Sequence, residues 1–169
     1  CSFTDPRIFE ELGKGLAEGA RQAHINISGG EISQIKEIIT GLDLIGACIG
    51  KVRLDRINTG KAIRPGNLII GLDSTGVHSN GLTLARRVLL GKTPEEQKAN
   101  INKHEPDFAC SLGEELLKPT RIYVREIMEM LDAGIDLKAM THITSGGFGN
   151  LNRVENNNIR FVINQLPDC

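Results

Sequence analysis

The chain has 169 residues, 40% hydrophobic and 24% charged, enough apolar material for a domain-sized core and too much for a disordered chain. Twenty Lys and Arg against twenty-one Asp and Glu leave a net charge of -1, so no global field draws the protein to nucleic acid or anionic lipid. With no tryptophan and one tyrosine, stacking platforms for single-stranded nucleic acid are scarce. No apolar run nears the length of a membrane span, and the first residues lack a signal-peptide pattern. Neither a nucleic-acid nor a membrane partner is expected.

In chain order, Asp5 before Pro6 is an N-cap followed by proline at the first helical position. Ile8, Phe9, Leu12, Leu16 and Ala20 then recur at helical spacing and predict a helix over Pro6–Ala23. Residues 24–28 (HINIS) alternate like a short strand and end in Gly29, Gly30 and Glu31. The apolar, glycine-punctuated run 42–52 reads as a buried strand, with Cys48 as a small buried hydrophobe. Arg64, Pro65, Gly66 and Asn67 make a turn before a second buried-strand candidate at 68–72. A helix follows on which Leu82, Ala85, Val88 and Leu89 share one face and Arg86 and Arg87 the other.

The segment 93–105 is polar and reads as a surface excursion; His104 within it is given no role. Residues 111–117 and 121–133 read as helices separated at Pro119, the second closed by Gly134. Strand candidates at 137–141 and 159–163 complete the chain, with a turn at 156–158 between them. Helices and strands interspersed without a fixed-period repeat predict an α/β or α+β class. The cysteines, Cys1, Cys48, Cys110 and Cys169, are widely separated with no C-x-x-C pair, which fits a reducing, cytoplasmic compartment and suggests no zinc or redox site. The opening on Cys1 rather than methionine, and the stop at LPDC just after a strand-like run, read as a fragment.

Three loops share one chemical character. The first, 73–80, joins a strand candidate to a helix, where unpaired backbone N–H groups and the helix dipole favour an anion such as phosphate. Gly76 and Gly81 would let the backbone approach a ligand, Ser79 and Asn80 would cap the helix or donate hydrogen bonds, and His78 would move a proton or polarise a bound group. It is neither the G-K-[ST] phosphate loop nor the G-x-G-x-x-G fingerprint. The plain alternative is Asn80 as an N-cap and His78 as an exposed loop residue, and the local pattern alone favours it. The second loop, 141–147, repeats the character with His142, Thr144, Gly146 and Gly147; its plain alternative is a glycine turn with a half-buried histidine. The third, 28–31, adds Glu31, either a contact for Mg²⁺ or a ligand hydroxyl, or a solvated carboxylate. Loops at the carboxyl ends of strands can line one cleft. Arg121 and Arg125 are within sequence reach of a phosphate, whereas Arg86 and Arg87 read as a solvated face.

The stretches GLDSTGVHSNGLTLARRVL (71–89), LLKPTRIYV (116–124) and THITSGGFGNLNRV (141–154), with the Gly29 to Glu31 loop and RPGNLIIGL, occur in that order across almost the whole chain. Together they resemble aminoimidazole ribonucleotide synthetase, or phosphoribosylformylglycinamidine cyclo-ligase, of purine biosynthesis. The resemblance implies an α+β fold (an α/β sandwich): residues 1–52 as the tail of an ATP-side, dimerising domain and 53–169 as a substrate-side domain truncated at its C-terminus. It also implies ATP and Mg²⁺ as cofactors, a ribonucleotide substrate and a homodimer in the full-length form.

The implied reaction closes an imidazole ring on formylglycinamidine ribonucleotide at the expense of ATP, which activates an amide oxygen for departure. By the same resemblance His78 is the acid/base group and Asn80 its neighbouring donor. Ser79, Gly81, His142, Thr144, Gly146 and Gly147 hold substrate or phosphate, and Glu31 contacts nucleotide or metal, the main metal ligands lying upstream of Cys1. Ile32 to Ile35 replace the family's acidic and Met-Pro continuation, and Ser145 replaces one glycine of HITGGG. A thiamine-monophosphate kinase or formylglycinamidine ribonucleotide synthetase of the same superfamily, or an inactive phosphate-ligand-binding or assembly fragment, is the alternative.

Overall fold

The computed structural model describes residues 1–2, 5–156 and 158–166. By internal contacts the chain divides into two compact units, Cys1–Ile57 with Ile122–Asp136, and Asn58–Arg121 with Leu137–Cys169.

The first unit holds α1 (Pro6–Ala23). The Asp5 carboxylate accepts from the Arg7 backbone N–H at 3.0 Å, and the helix ends at His24, whose left-handed φ of 51° lets its own N–H reach the carbonyls of Ala20 and Arg21. A second helix of this unit, Val124–Asp132 (α5), packs on α1 and stops before Gly134, at φ 74°. Cys1 is buried: its ammonium donates to the Ser33 carbonyl at 2.8 Å and its carbonyl accepts from Ile35 at 3.2 Å.

The second unit holds α2 (Leu82–Leu89), α3 (Pro94–Asn100), a two-residue antiparallel hairpin of β1 (His104–Glu105) and β2 (Cys110–Ser111), and α4 (Leu112–Leu116). Helix α2 packs on both α3 and α4, around the buried Leu90 and Leu112. Helices α3 and α4 each begin with a reciprocal cap. Thr93 and Ser111 accept from the backbone N–H groups of Glu96 and Glu114, whose carboxylates accept in return from the cap residues' N–H groups. A 3₁₀ turn at Gly147–Arg153 surrounds the buried Asn150.

Helices with a small sheet match the expected α+β class. The five expected strands do not form ladders: among the described residues the only sheet is the β1–β2 hairpin, in and beside the stretch read as a polar excursion. None of the runs 24–28, 42–52, 68–72, 137–141 and 159–163 forms a strand. Ile49 is 99% and Leu68 87% exposed, and Cys48 is exposed rather than buried. Apolarity and β-branching qualify a segment for a sheet, but a ladder exists only where a neighbour accepts its hydrogen bonds.

Two outcomes follow. Hydrogen bonds from the Ser111 backbone and hydroxyl hold the Glu114 carboxyl below its ordinary 4.5. A folded value depressed in this way stabilises the cap above the unfolded value, and that stabilisation is lost as pH falls through the folded one. A carboxyl-carbon NMR titration is expected to place the Glu114 midpoint below 4.5, and Ser111→Ala, which removes the hydroxyl but keeps the backbone N–H, to raise it only part of the way back. Burial, followed by a hydrogen bond to the Glu115 carboxylate, raises the Cys110 thiol. Peptide mapping after brief alkylation near neutral pH is therefore expected to find Cys48 labelled before Cys110.

Candidate functional site

Both histidine loops belong to the second unit. The first leaves the extended run 68–72 and is anchored at once to the segment after α4. The Arg121 guanidinium pairs with the Asp73 carboxylate, and the Thr75 hydroxyl donates to the Pro119 carbonyl at 2.7 Å. Gly76 then passes against Lys118 at φ 56°, where a Cβ would lie 2.8 Å from the lysine Cβ. Both the backbone sign and the space call for glycine.

His78 follows at φ 63°, a left-handed conformation that is uncommon for a side-chain-bearing residue. Its Nε2 hydrogen-bonds the Ser74 hydroxyl, four residues back, so the loop closes on itself. Gly81, at φ 88°, is the residue that caps α2, and it does so without a side-chain hydrogen bond. Ser79 and Asn80 are exposed and do not cap the helix.

The second loop brings His142 to His78, with ring centroids 5.8 Å apart and planes tilted by 57°. Its glycines are ordered by Asn150, which is 2% exposed. The Asn150 amide donates to the Gly147 carbonyl at 2.6 Å and its oxygen accepts from the Thr144 hydroxyl at 3.2 Å. The Gly147 N–H donates to the Thr144 carbonyl at 2.8 Å. A Cβ on Gly146 would meet the Asn150 amide nitrogen at 2.8 Å. Thr144, Gly146 and Gly147 are thus one turn built around one buried amide.

A cavity of about 410 Å³ adjoins His142, lined among others by Asn58, Thr59, Thr141, Arg153 and Glu155. Across it the Glu155 N–H donates to the Thr59 carbonyl at 2.8 Å, and Lys61 pairs with the Glu155 carboxylate at 2.8 Å.

Glu31 belongs to the first unit, where it is exposed and accepts from the Ser33 hydroxyl at 3.0 Å. Among the described residues no three His, Cys, Asp or Glu side chains converge as a metal site, and no helix is long and apolar enough to cross a membrane.

The model of the family described as AIR synthase related protein, C-terminal domain, matches residues 64–165, more than half the chain. The chain belongs to this family. The match takes in both histidine loops, the 115–121 segment and Asn150, and leaves Glu31 outside.

Three curated relatives carry the name phosphoribosylformylglycinamidine cyclo-ligase. That of Methanothermobacter thermautotrophicus is 45% identical over 164 residues, covering 97% of this chain and 47% of the relative. That of Methanocaldococcus jannaschii is 44% identical over 162 residues, 95% of this chain and 45% of the relative. That of Pyrococcus furiosus is 44% identical over 154 residues, 91% of this chain and 43% of the relative. The chain spans about half the length of the curated relatives it matches.

Sequence reasoning passed over Asn150 and the pairing of Asp73 with Arg121. An asparagine after two Gly-containing turns was the available signal for the first; the second joins residues 48 apart and had none. Replacing Asn150 by Ala strands the Thr144 hydroxyl and the Gly147 carbonyl, and is expected to cost about 1–3 kcal/mol of stability. Denaturant unfolding of the variant checks this.

Proposed function

We propose that this chain is the substrate-side half of a phosphoribosylformylglycinamidine cyclo-ligase, which closes formylglycinamidine ribonucleotide to aminoimidazole ribonucleotide with cleavage of ATP. The observation that carries the reading is the pairing of His78 and His142 on two glycine loops, inside the span matched by a family whose curated members bear that name. The same name favours the cyclo-ligase over a thiamine-monophosphate kinase or a formylglycinamidine ribonucleotide synthetase.

Ring closure joins an amidine nitrogen to an amide carbon whose oxygen must leave, and the attacking nitrogen must shed a proton. His78 takes that proton, with Asn80 and Ser79 offering hydrogen bonds to the substrate beside it. The turn of Thr144, Gly146 and Gly147, whose Thr144 hydroxyl and Gly147 N–H are already bound within it, is assigned to a phosphate through its remaining backbone N–H groups, with Gly81 at the start of α2 and His142 from the same loop. Residues 53–169 form the substrate-side domain in this reading and 1–52 the end of the ATP-side domain.

The described carboxylates do not converge into a Mg²⁺ site. The binding of ATP and Mg²⁺ is assigned to the half of the relatives that this chain does not match, with Glu31 as one contact from this side. The exposed apolar run at 42–52 supports a homodimer of the whole enzyme, and the purine-biosynthetic substrate a cytoplasmic setting.

Supplied with the unmatched half of a relative, the chain is expected to release ADP from ATP only when formylglycinamidine ribonucleotide is present. His78→Ala is expected to lower kcat by about 10²-fold or more. The 169 residues alone are expected to turn over nothing measurable. Normal turnover by the His78→Ala variant removes the assignment, and ribonucleotide binding without ADP release in the reconstituted protein favours a binding or assembly role.

A further inference from the structure

The three residues that open the first histidine loop each bind something different. Asp73 pairs with Arg121 and Thr75 donates to the Pro119 carbonyl, so the backbone on both sides of Ser74 is fixed to the segment after α4. Gly76, pressed against Lys118, adds a third point of attachment. Ser74 lies between these anchors, and its hydroxyl meets Nε2 of His78.

A side chain tethered through a floating loop would orient nothing. One held between two anchored neighbours can select the orientation and tautomer of an imidazole, because the ring nitrogen that it engages is no longer open to exchange.

We infer that Ser74 is a positioning residue for His78: its Oγ accepts the Nε2–H, which leaves Nδ1 unprotonated and makes Nδ1 the nitrogen presented to the ligand. Among the described residues no hydrogen bond engages Nδ1, and His78, half-buried at left-handed φ, has its ring beside His142. The proton balance is simple. When a ligand nitrogen gives its proton to Nδ1, the imidazole becomes an imidazolium whose Nε2–H still donates to Ser74 Oγ, so the bond persists and strengthens as the acceptor meets a charged donor. Ser74 takes no proton at any stage; it holds the ring. The inference rests on the proposed role of His78 as a base, but the tautomer it assigns can be read without turnover.

The test is nitrogen-15 NMR of the histidine side chains in the 169-residue chain near neutral pH, on the wild type, Ser74→Ala and Ser74→Thr. The wild type is expected to show Nε2 protonated and Nδ1 bare in His78. In Ser74→Ala the Nε2–H is expected to exchange with water about tenfold faster, the worth of a hydrogen bond to a group that becomes charged, and Ser74→Thr to restore the slow exchange. Because Ser74 is exposed, its replacement leaves the fold in place; an unchanged signal from His104, on β1 of the same unit, reports that in the same spectra.

A wild type with Nδ1 protonated, or a Ser74→Ala variant with unchanged exchange, overturns the inference whatever the enzyme turns over. In the reconstituted cyclo-ligase, Ser74→Ala is further expected to lower kcat with KM held and Ser74→Thr to recover it. A fall in substrate affinity alone also overturns it. If instead the spectra behave as expected and no ribonucleotide-dependent ADP release is found, the cyclo-ligase reading fails while the role of Ser74 stands.

Discussion

The attachment of residues 73–76 to the segment 118–121 is the constraint on which the rest of the site depends. An ion pair between Asp73 and Arg121, a hydrogen bond from Thr75 to the Pro119 carbonyl and the close passage of Gly76 over Lys118 convert a loop into a platform. The ion pair is exposed on the Asp73 side, and such pairs are individually weak. Its value here is geometric, since several modest contacts acting on four consecutive residues leave them few alternative conformations. Proline at 119 contributes by presenting a carbonyl from a backbone of fixed φ.

From that platform the contacts of the two loops are built up in layers. Ser74 meets His78, His78 meets His142, and the loop that carries His142 is itself held by the buried Asn150. Both loops are thus organised by a polar group that sequence inspection would class as unremarkable: a serine two residues before a glycine, and an asparagine inside a glycine-rich turn. Each uses side-chain hydrogen bonding to backbone or ring nitrogen where regular secondary structure supplies none, which is how loops acquire the rigidity that a binding site requires.

The family match spans the second unit's two histidine loops without singling out any residue in them. The match covers 64–165, and within that span the two histidine loops are brought together by tertiary contacts. Glu31 lies outside both. Its loop shares a glycine pair with the second histidine loop, but composition is local, and nothing in a Gly-Gly-Glu triplet says which distant group it will serve.

Much of the helical structure was legible in the chain. The Asp5–Pro6 start and the 3.6-residue spacing of apolar side chains mark out α1, because capping and amphipathicity are encoded within one or two turns. Gly134 likewise marks the end of α5. The capping box of α3 was equally legible, with Thr93 followed by Glu96, but the polarity of the stretch concealed it. Local chemistry therefore determined where helices start and stop, and the order of motifs determined the family. Tertiary structure alone decided that β1 and β2 pair while more apolar runs stay without a ladder, that Cys48 is exposed and Cys1 buried, that Asp73 finds Arg121, and that Ser74 rather than a neighbour meets His78. Those outcomes depend on which distant segments meet, and a sequence lists each residue's capacities without naming the partner that satisfies them.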